Sequence, residues 1–117
     1  MQLDAVKYLL DIQKAIADIE MFFAEVKSFN DYTGNKLLKA GVERKLLIIG
    51  EAVNRFRAIE ENQQIEQANK IYGLRNRLAH AYDSIDDNTV YTIVVNHLPY
   101  LKAEVNKLID ENYKGNK

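Results

Sequence analysis

Apolar residues fall at steps of three and four along most of the chain, and that period admits helices and little else. Between Leu3 and Phe29 the positions Val6, Leu9, Leu10, Ile16, Ile19, Phe22, Phe23 and Val26 trace one face of an amphipathic helix. Asn30 to Asn35, with Asp31 and Gly34, reads as a turn. The stretch from about Lys36 to Ile59 differs in kind: Leu46, Leu47, Ile48, Ile49, Ala52 and Val53 leave no polar face at its centre, which predicts a buried central helix. A shorter helix is expected from about Ile65 to Leu78, carrying Ile71, Tyr72, Leu74 and Leu78. A last one is expected to begin near Asn88, after N-cap candidates in Asp83-Ser84-Ile85-Asp86-Asp87. Pro99 sits inside its apolar pattern, so this helix must kink there or restart with Pro99 in its first turn. The C-terminal Lys114-Gly115-Asn116-Lys117 is expected to fray. With one Pro and five Gly, and no run that reads as a strand, the expectation is an all-α, up-and-down four-helix bundle in a single domain, residues 1–117.

Composition narrows the chemistry. A chain of 117 residues, 47% of them hydrophobic, buries roughly two-thirds of its unfolded surface without disulfide or zinc staples. The absence of Cys excludes thiolate catalysis, cysteine redox and Cys-ligated metal. Two histidines exclude sites built on several His ligands within one chain, and no Asp/Glu/His cluster has metal-ligand spacing, so neither metal nor cofactor is expected. Asp83, Asp86 and Asp87 resemble a calcium loop superficially, but without its turn glycine and closing Glu they read as helix caps. Met1-Gln2-Leu3-Asp4 lacks a basic, then apolar, leader pattern, and the longest apolar run, Leu46 to Gly50, is too short to span a bilayer. A cytoplasmic protein without a membrane partner is the expectation. Sixteen Lys and Arg against 17 Asp and Glu give a net charge of −1, so any contact with nucleic acid must rest on local positive charge.

The segment Tyr72-Gly73-Leu74-Arg75-Asn76-Arg77-Leu78-Ala79-His80-Ala81-Tyr82-Asp83 concentrates polar chemistry: two guanidiniums, an amide, an imidazole and a phenol within eight residues. On an ideal helix Arg75 and His80 stand about 140° apart, whereas Asn76 and His80 are i, i+4 neighbours, so the amide can orient the imidazole. On these residues alone two readings stand. One is a reactive cluster; the other is a helix end with protonated His80 near the negative dipole terminus and Tyr82 as a packing aromatic. Glu51 interrupts the most apolar stretch, and as a buried carboxylate it needs a partner, either Arg75 or Asn76 or a structural ion pair inside the bundle. Gly50 beside it reads as a close helix contact. His97 reads as a structural histidine, and Phe22, Phe23, Phe29, Tyr91 and Tyr100 as core or dimer seam.

The order Arg75-Asn76-Arg77-Leu78-Ala79-His80-Ala81-Tyr82 resembles the signature of the HepT-like branch of the HEPN superfamily. Ile48-Ile49-Gly50-Glu51-Ala52-Val53-Asn54 is similar to that family's central-helix segment, and Tyr82-Asp83-Ser84-Ile85-Asp86 followed by Leu98-Pro99-Tyr100-Leu101 to its tail, so the resemblance runs from about Leu38 onward. A tryptophan common before the motif is replaced here by Gln67-Ala68-Asn69. The resemblance implies an all-α homodimer that cleaves RNA without metal, the toxin of a toxin-antitoxin pair whose antitoxin is a minimal nucleotidyltransferase. It also implies Arg75 and His80 as catalytic, Asn76, Arg77 and Glu51 as supporting, and Tyr82 as the tyrosine that the partner modifies with AMP.

The chemistry asks for a dimer independently. Attack of a ribose 2′-OH on its phosphate is served by one base, one acid and a cation for the phosphoryl oxygens, and one chain offers a single suitable His. A two-fold pair supplies two imidazoles, one neutral and one protonated near the ordinary His pKa of about 6.5, with Arg75 of each copy as a planar phosphate clamp. AMP on Tyr82 would set a bulky anion where substrate phosphate belongs. A non-catalytic helical module that binds a nucleotidyltransferase is the alternative reading, and a helical dimer with no site is a third.

Overall fold

The computed structural model describes residues 1–61, 65–68 and 86–114. Every regular element among them is helical, and none is a strand. The chain runs through α1 (Leu3–Phe22), a short α2 (Phe29–Thr33), α3 (Lys36–Ile59), a 3-10 turn (Glu66–Ala68), α4 (Asp87–Thr92), a π turn (Ile93–His97) and α5 (Leu98–Lys114). The expected all-α bundle is what these residues build. Its third expected helix, 65–78, lies largely outside the described residues.

Packing follows the apolar stripes. Ala5, Leu9, Ile12, Ile16 and Ile19 of α1 are buried against Leu46, Ile49, Val53 and Phe56 of α3 and against Leu98, Leu101 and Val105 of the last helix. Polar ties fix the direction of each pair. Asp18 meets Lys45 at 2.9 Å, and the Gln2 amide donates to Glu60 at 3.2 Å, so α1 and α3 are antiparallel. Lys102 donates to Glu20 at 2.9 Å and Gln13 to Asn106 at 2.8 Å, so α1 and α5 are antiparallel as well. Gly41 lets α3 lie tight against the end of α1, since a Cβ there would stand 3.2 Å from the Phe22 ring.

The element ends show what local chemistry selects. α1 stops at Phe22 rather than continuing to Phe29, and Phe23, with ψ near 0°, turns its ring to within 5.6 Å of Tyr32 and 6.1 Å of Tyr91. Part of the expected turn is instead the one-turn helix α2. Its N-cap, Ser28, accepts from the Asp31 amide, and the Asp31 carboxylate reaches back to the Lys27 amide at 2.9 Å, a reciprocal cap. Asn35 caps α3 by accepting from Leu38, and the helix spans the expected 36–59.

At the last helix Pro99 cannot donate a hydrogen bond, and its ring would crowd the carbonyl of Val95 in an unbroken α-helix. The chain widens into the π turn immediately before it, where the Leu98 amide donates to Ile93 five residues back. α5 then starts with Pro99 in its first turn, so of the two expected outcomes, kink or restart, the structure takes the restart.

Leu46 is fully buried and Leu37 is 85% exposed, although both lie on α3. Leu46→Ala should therefore cost about 2–5 kcal/mol in urea unfolding. Leu37→Ala should fall within about 0.5 kcal/mol of wild type. Equal losses would contradict the burial pattern.

Candidate functional site

Arg75, Asn76, Arg77, His80 and Tyr82 lie outside the described residues, as does Asp83. What the structure does describe is how the two flanks of their segment are held. On the N-terminal side Ile65 and Ala68 are buried, and the Glu104 carboxylate on α5 accepts from the backbone amides of Glu66 and Gln67 at 3.0 and 3.1 Å. An anion receiving two otherwise orphaned amides at the start of a helical turn is a charge-assisted cap supplied from another element. On the C-terminal side Asp86 caps α4, accepting from the Asn88 amide, as the sequence suggested. Asp87 pairs with Lys39 of α3 at 2.9 Å. One flank is thus fastened to α5 and the other to the beginning of α3.

The second fastening sits beside an acidic and aromatic cluster. Tyr32 is fully buried, packs with Phe23 and Tyr91, and its hydroxyl has no hydrogen-bond partner among the described residues. Burial pushes its pKa up, and the nearby Glu43 and Asp87 carboxylates push in the same direction, so the phenol stays protonated. Glu43 is itself raised above the usual carboxylate range, first by desolvation and then by Asp87, with Lys39 opposing.

Glu51 requires a correction. The apolar stretch around it predicted a buried carboxylate, but Glu51 is exposed, and no hydrogen bond or ion pair holds it among the described residues. α3 is not buried all round. Leu46, Ile49, Gly50 and Val53 face the core, Leu47 and Ile48 are half-buried, and Arg44, Glu51, Asn54 and Arg55 form a polar side. Glu51 opens on a shallow groove of about 310 Å³ lined by Lys7, Tyr8, Asp11, Ile48, Ala52 and Arg55. Of the two places expected for Tyr100, core or dimer seam, its 65% exposure excludes the core, and Phe29 sits at the margin at 38% while its ring meets Tyr91 edge-on at 5.3 Å. His97 is half-buried at the end of the π turn.

Among the described residues no group of His, Asp and Glu has the arrangement of a metal site, and no helix is long and apolar enough to cross a membrane. Sequence reasoning missed Glu104 and the Lys39–Asp87 pair. Their role depends on contacts spanning 37 and 48 positions, which no local spacing announces.

The chain matches the family model described as ribonuclease HepT-like over residues 12–108. It belongs to the HepT-like ribonuclease family. Among similar proteins, one from Methanocaldococcus jannaschii with the provisional name of an RNase is 30% identical over 109 residues, covering 92% of this chain and 89% of its own length. Another from that organism, named in the same provisional way, is 34% identical over 106 residues, covering 87% and 94%. A Thermococcus cleftensis protein provisionally named ribonuclease HepT is 33% identical over 105 residues, covering 86% and 92%. The HepT-like match takes in the whole of Arg75 to Tyr82 together with both fastened flanks.

Glu43 yields a pH prediction at the C-terminal flank. In the window from the ordinary carboxylate range up to its raised value, the unfolded chain has released the Glu43 proton while the folded chain retains it. The folded state binds more protons there and loses stability as pH rises. Glu43→Gln should flatten that slope and raise the urea midpoint near neutral pH, with the gain fading in acid where both forms are uncharged. An unchanged or steeper slope would contradict it.

Proposed function

We propose that this protein is an endoribonuclease, the toxin of a toxin-antitoxin pair, cleaving RNA without metal in a cleft shared by two copies. The HepT-like family match carries the proposal, because it spans the segment in which base, acid and cation are concentrated. The names of the relatives support the same activity.

In this reading a neutral His80 takes the proton of a ribose 2′-OH, whose oxygen attacks the neighbouring phosphorus. The 5′-oxygen leaves with a proton from the protonated His80 of the other copy, so that proton gain and loss balance. Arg75 of each copy grips the non-bridging oxygens as charge builds on them. Asn76, four positions before His80, orients the imidazole, and Arg77 adds a backbone phosphate contact. A single chain of net charge −1 thereby gathers a locally positive cleft from two copies of a short basic segment. Tyr82, two residues from His80, is the position at which a partner nucleotidyltransferase would attach AMP and close the cleft by bulk and charge.

Purified protein is expected to cleave RNA in the presence of EDTA. His80→Ala and Arg75→Ala should each lower cleavage at least about 10²-fold with the far-UV spectrum unchanged. Full cleavage by His80→Ala would reject the assignment, and absence of cleavage by the wild type would leave the non-catalytic, partner-binding module as the function. After co-expression with a cognate nucleotidyltransferase, mass spectrometry should find AMP on Tyr82. An unmodified Tyr82 in a neutralised pair would remove the regulatory step.

A further inference from the structure

Four residues of α3, each one helical turn after the last, form a ridge along its solvent side: Leu47, Glu51, Arg55 and Ile59. Leu47 and Ile59 are half-buried at its ends, Ile59 leaning partly on the core, and Glu51 and Arg55 are exposed at its middle. The order apolar, acid, base, apolar is its own complement when reversed. Set against a second copy running the other way, the ridge places each Glu51 against the other copy's Arg55 and each Leu47 against the other copy's Ile59. Set parallel in register, it places like charge on like.

The neighbouring charges do not use up this complementarity. Lys7 is already paired with Asp11 at 3.0 Å and lies 5.1 Å from the Tyr8 ring centre. Glu51 and Arg55 line the same groove, yet neither has an ion pair among the described residues, not even with each other across one turn. A polyanion fits this surface poorly, since Glu51 and Asp11 would repel it. A two-fold copy leaves no charge of the ridge unmatched, and self-complementary patches are what a two-fold interface requires.

We infer that this ridge is the seam of a two-fold dimer of this chain, α3 packing antiparallel on α3 with Glu51 of each copy paired to Arg55 of the other. The inference rests on the proposed shared cleft, which is incomplete in one copy because the motif carries a single histidine. It adds the surface that joins the copies. The exposed Glu51 thereby acquires a structural role, holding the copies in register and leaving the chemistry to other residues.

Charge swapping tests it through association rather than activity. Sedimentation velocity on wild type should show a dimer. Glu51→Arg and Arg55→Glu should each weaken it at least about tenfold, since each variant opposes like charges twice per dimer. Mixing the two single variants in equal amounts should restore a dimer, because every facing pair is then opposite in sign, and the double swap E51R/R55E should restore it within one chain. If a single variant loses its helical spectrum, Glu51→Gln and Arg55→Gln, each of which removes one partner twice, should also weaken the dimer, and a dimer unaffected by them overturns the seam. A wild-type dimer whose single variants remain tight, or whose mixture stays monomeric, overturns the seam and leaves the shared cleft standing on another surface. A monomeric wild type that cleaves RNA overturns both. A dimer that obeys the swaps but cleaves no RNA upholds the seam and rejects the ribonuclease reading.

Discussion

Leu9, Ile12, Ile16 and Ile19 run along one side of α1, and they are kept from water by α3 and α5 lying antiparallel against that side. Burial of this stripe supplies the driving force, at roughly 25 cal/mol for each Å² of apolar surface removed from water. The polar ties between the helices, Asp18 with Lys45 and Glu20 with Lys102 among them, are partly exposed and individually weak. Their contribution is register. Because α1 fixes both neighbours, it also fixes Glu104 on α5 and Lys39 on α3, the two groups that fasten the flanks of the Arg75–Tyr82 segment.

The sequence announces those parts of the fold whose causes are local. The three- and four-residue period places α1 and the full span of α3, Asp86 is found as a cap, and the restart at Pro99 follows from a missing donor. The early end of α1 and the single turn of α2 escape the period. There Ser28 and Asp31 compete successfully for the backbone, and Phe23 packs against Tyr32 and Tyr91 instead of continuing the helix. Glu51 shows the opposite error. Four consecutive apolar residues, Leu46 to Ile49, imply burial on every side only if the monomer supplies every neighbour, and here Leu47 and Ile48 are only half covered. The Arg75–Tyr82 cluster can be picked out by its density of polar groups, but the chemistry proposed for it rests on family resemblance, since its spacing alone suits a capped helix end equally well.

A division of labour follows along the chain. The core and its ties are ordinary bundle physics and need no RNA to explain them. In the proposed function, the groups that carry the chemistry are gathered in one short segment between two fastened flanks, where modification of a single phenol would silence them. Having one motif histidine per chain makes association part of the proposed chemistry, and the matched charges of α3 offer a surface on which two such chains would meet.

The most direct measurement of that dependence is specific RNA-cleaving activity of the wild-type chain in EDTA across a dilution series. The series should span the concentration at which sedimentation shows the dimer falling apart. A cleft built from two copies predicts specific activity that rises and falls with the dimeric fraction. Constant specific activity down to a fully monomeric chain would contradict it.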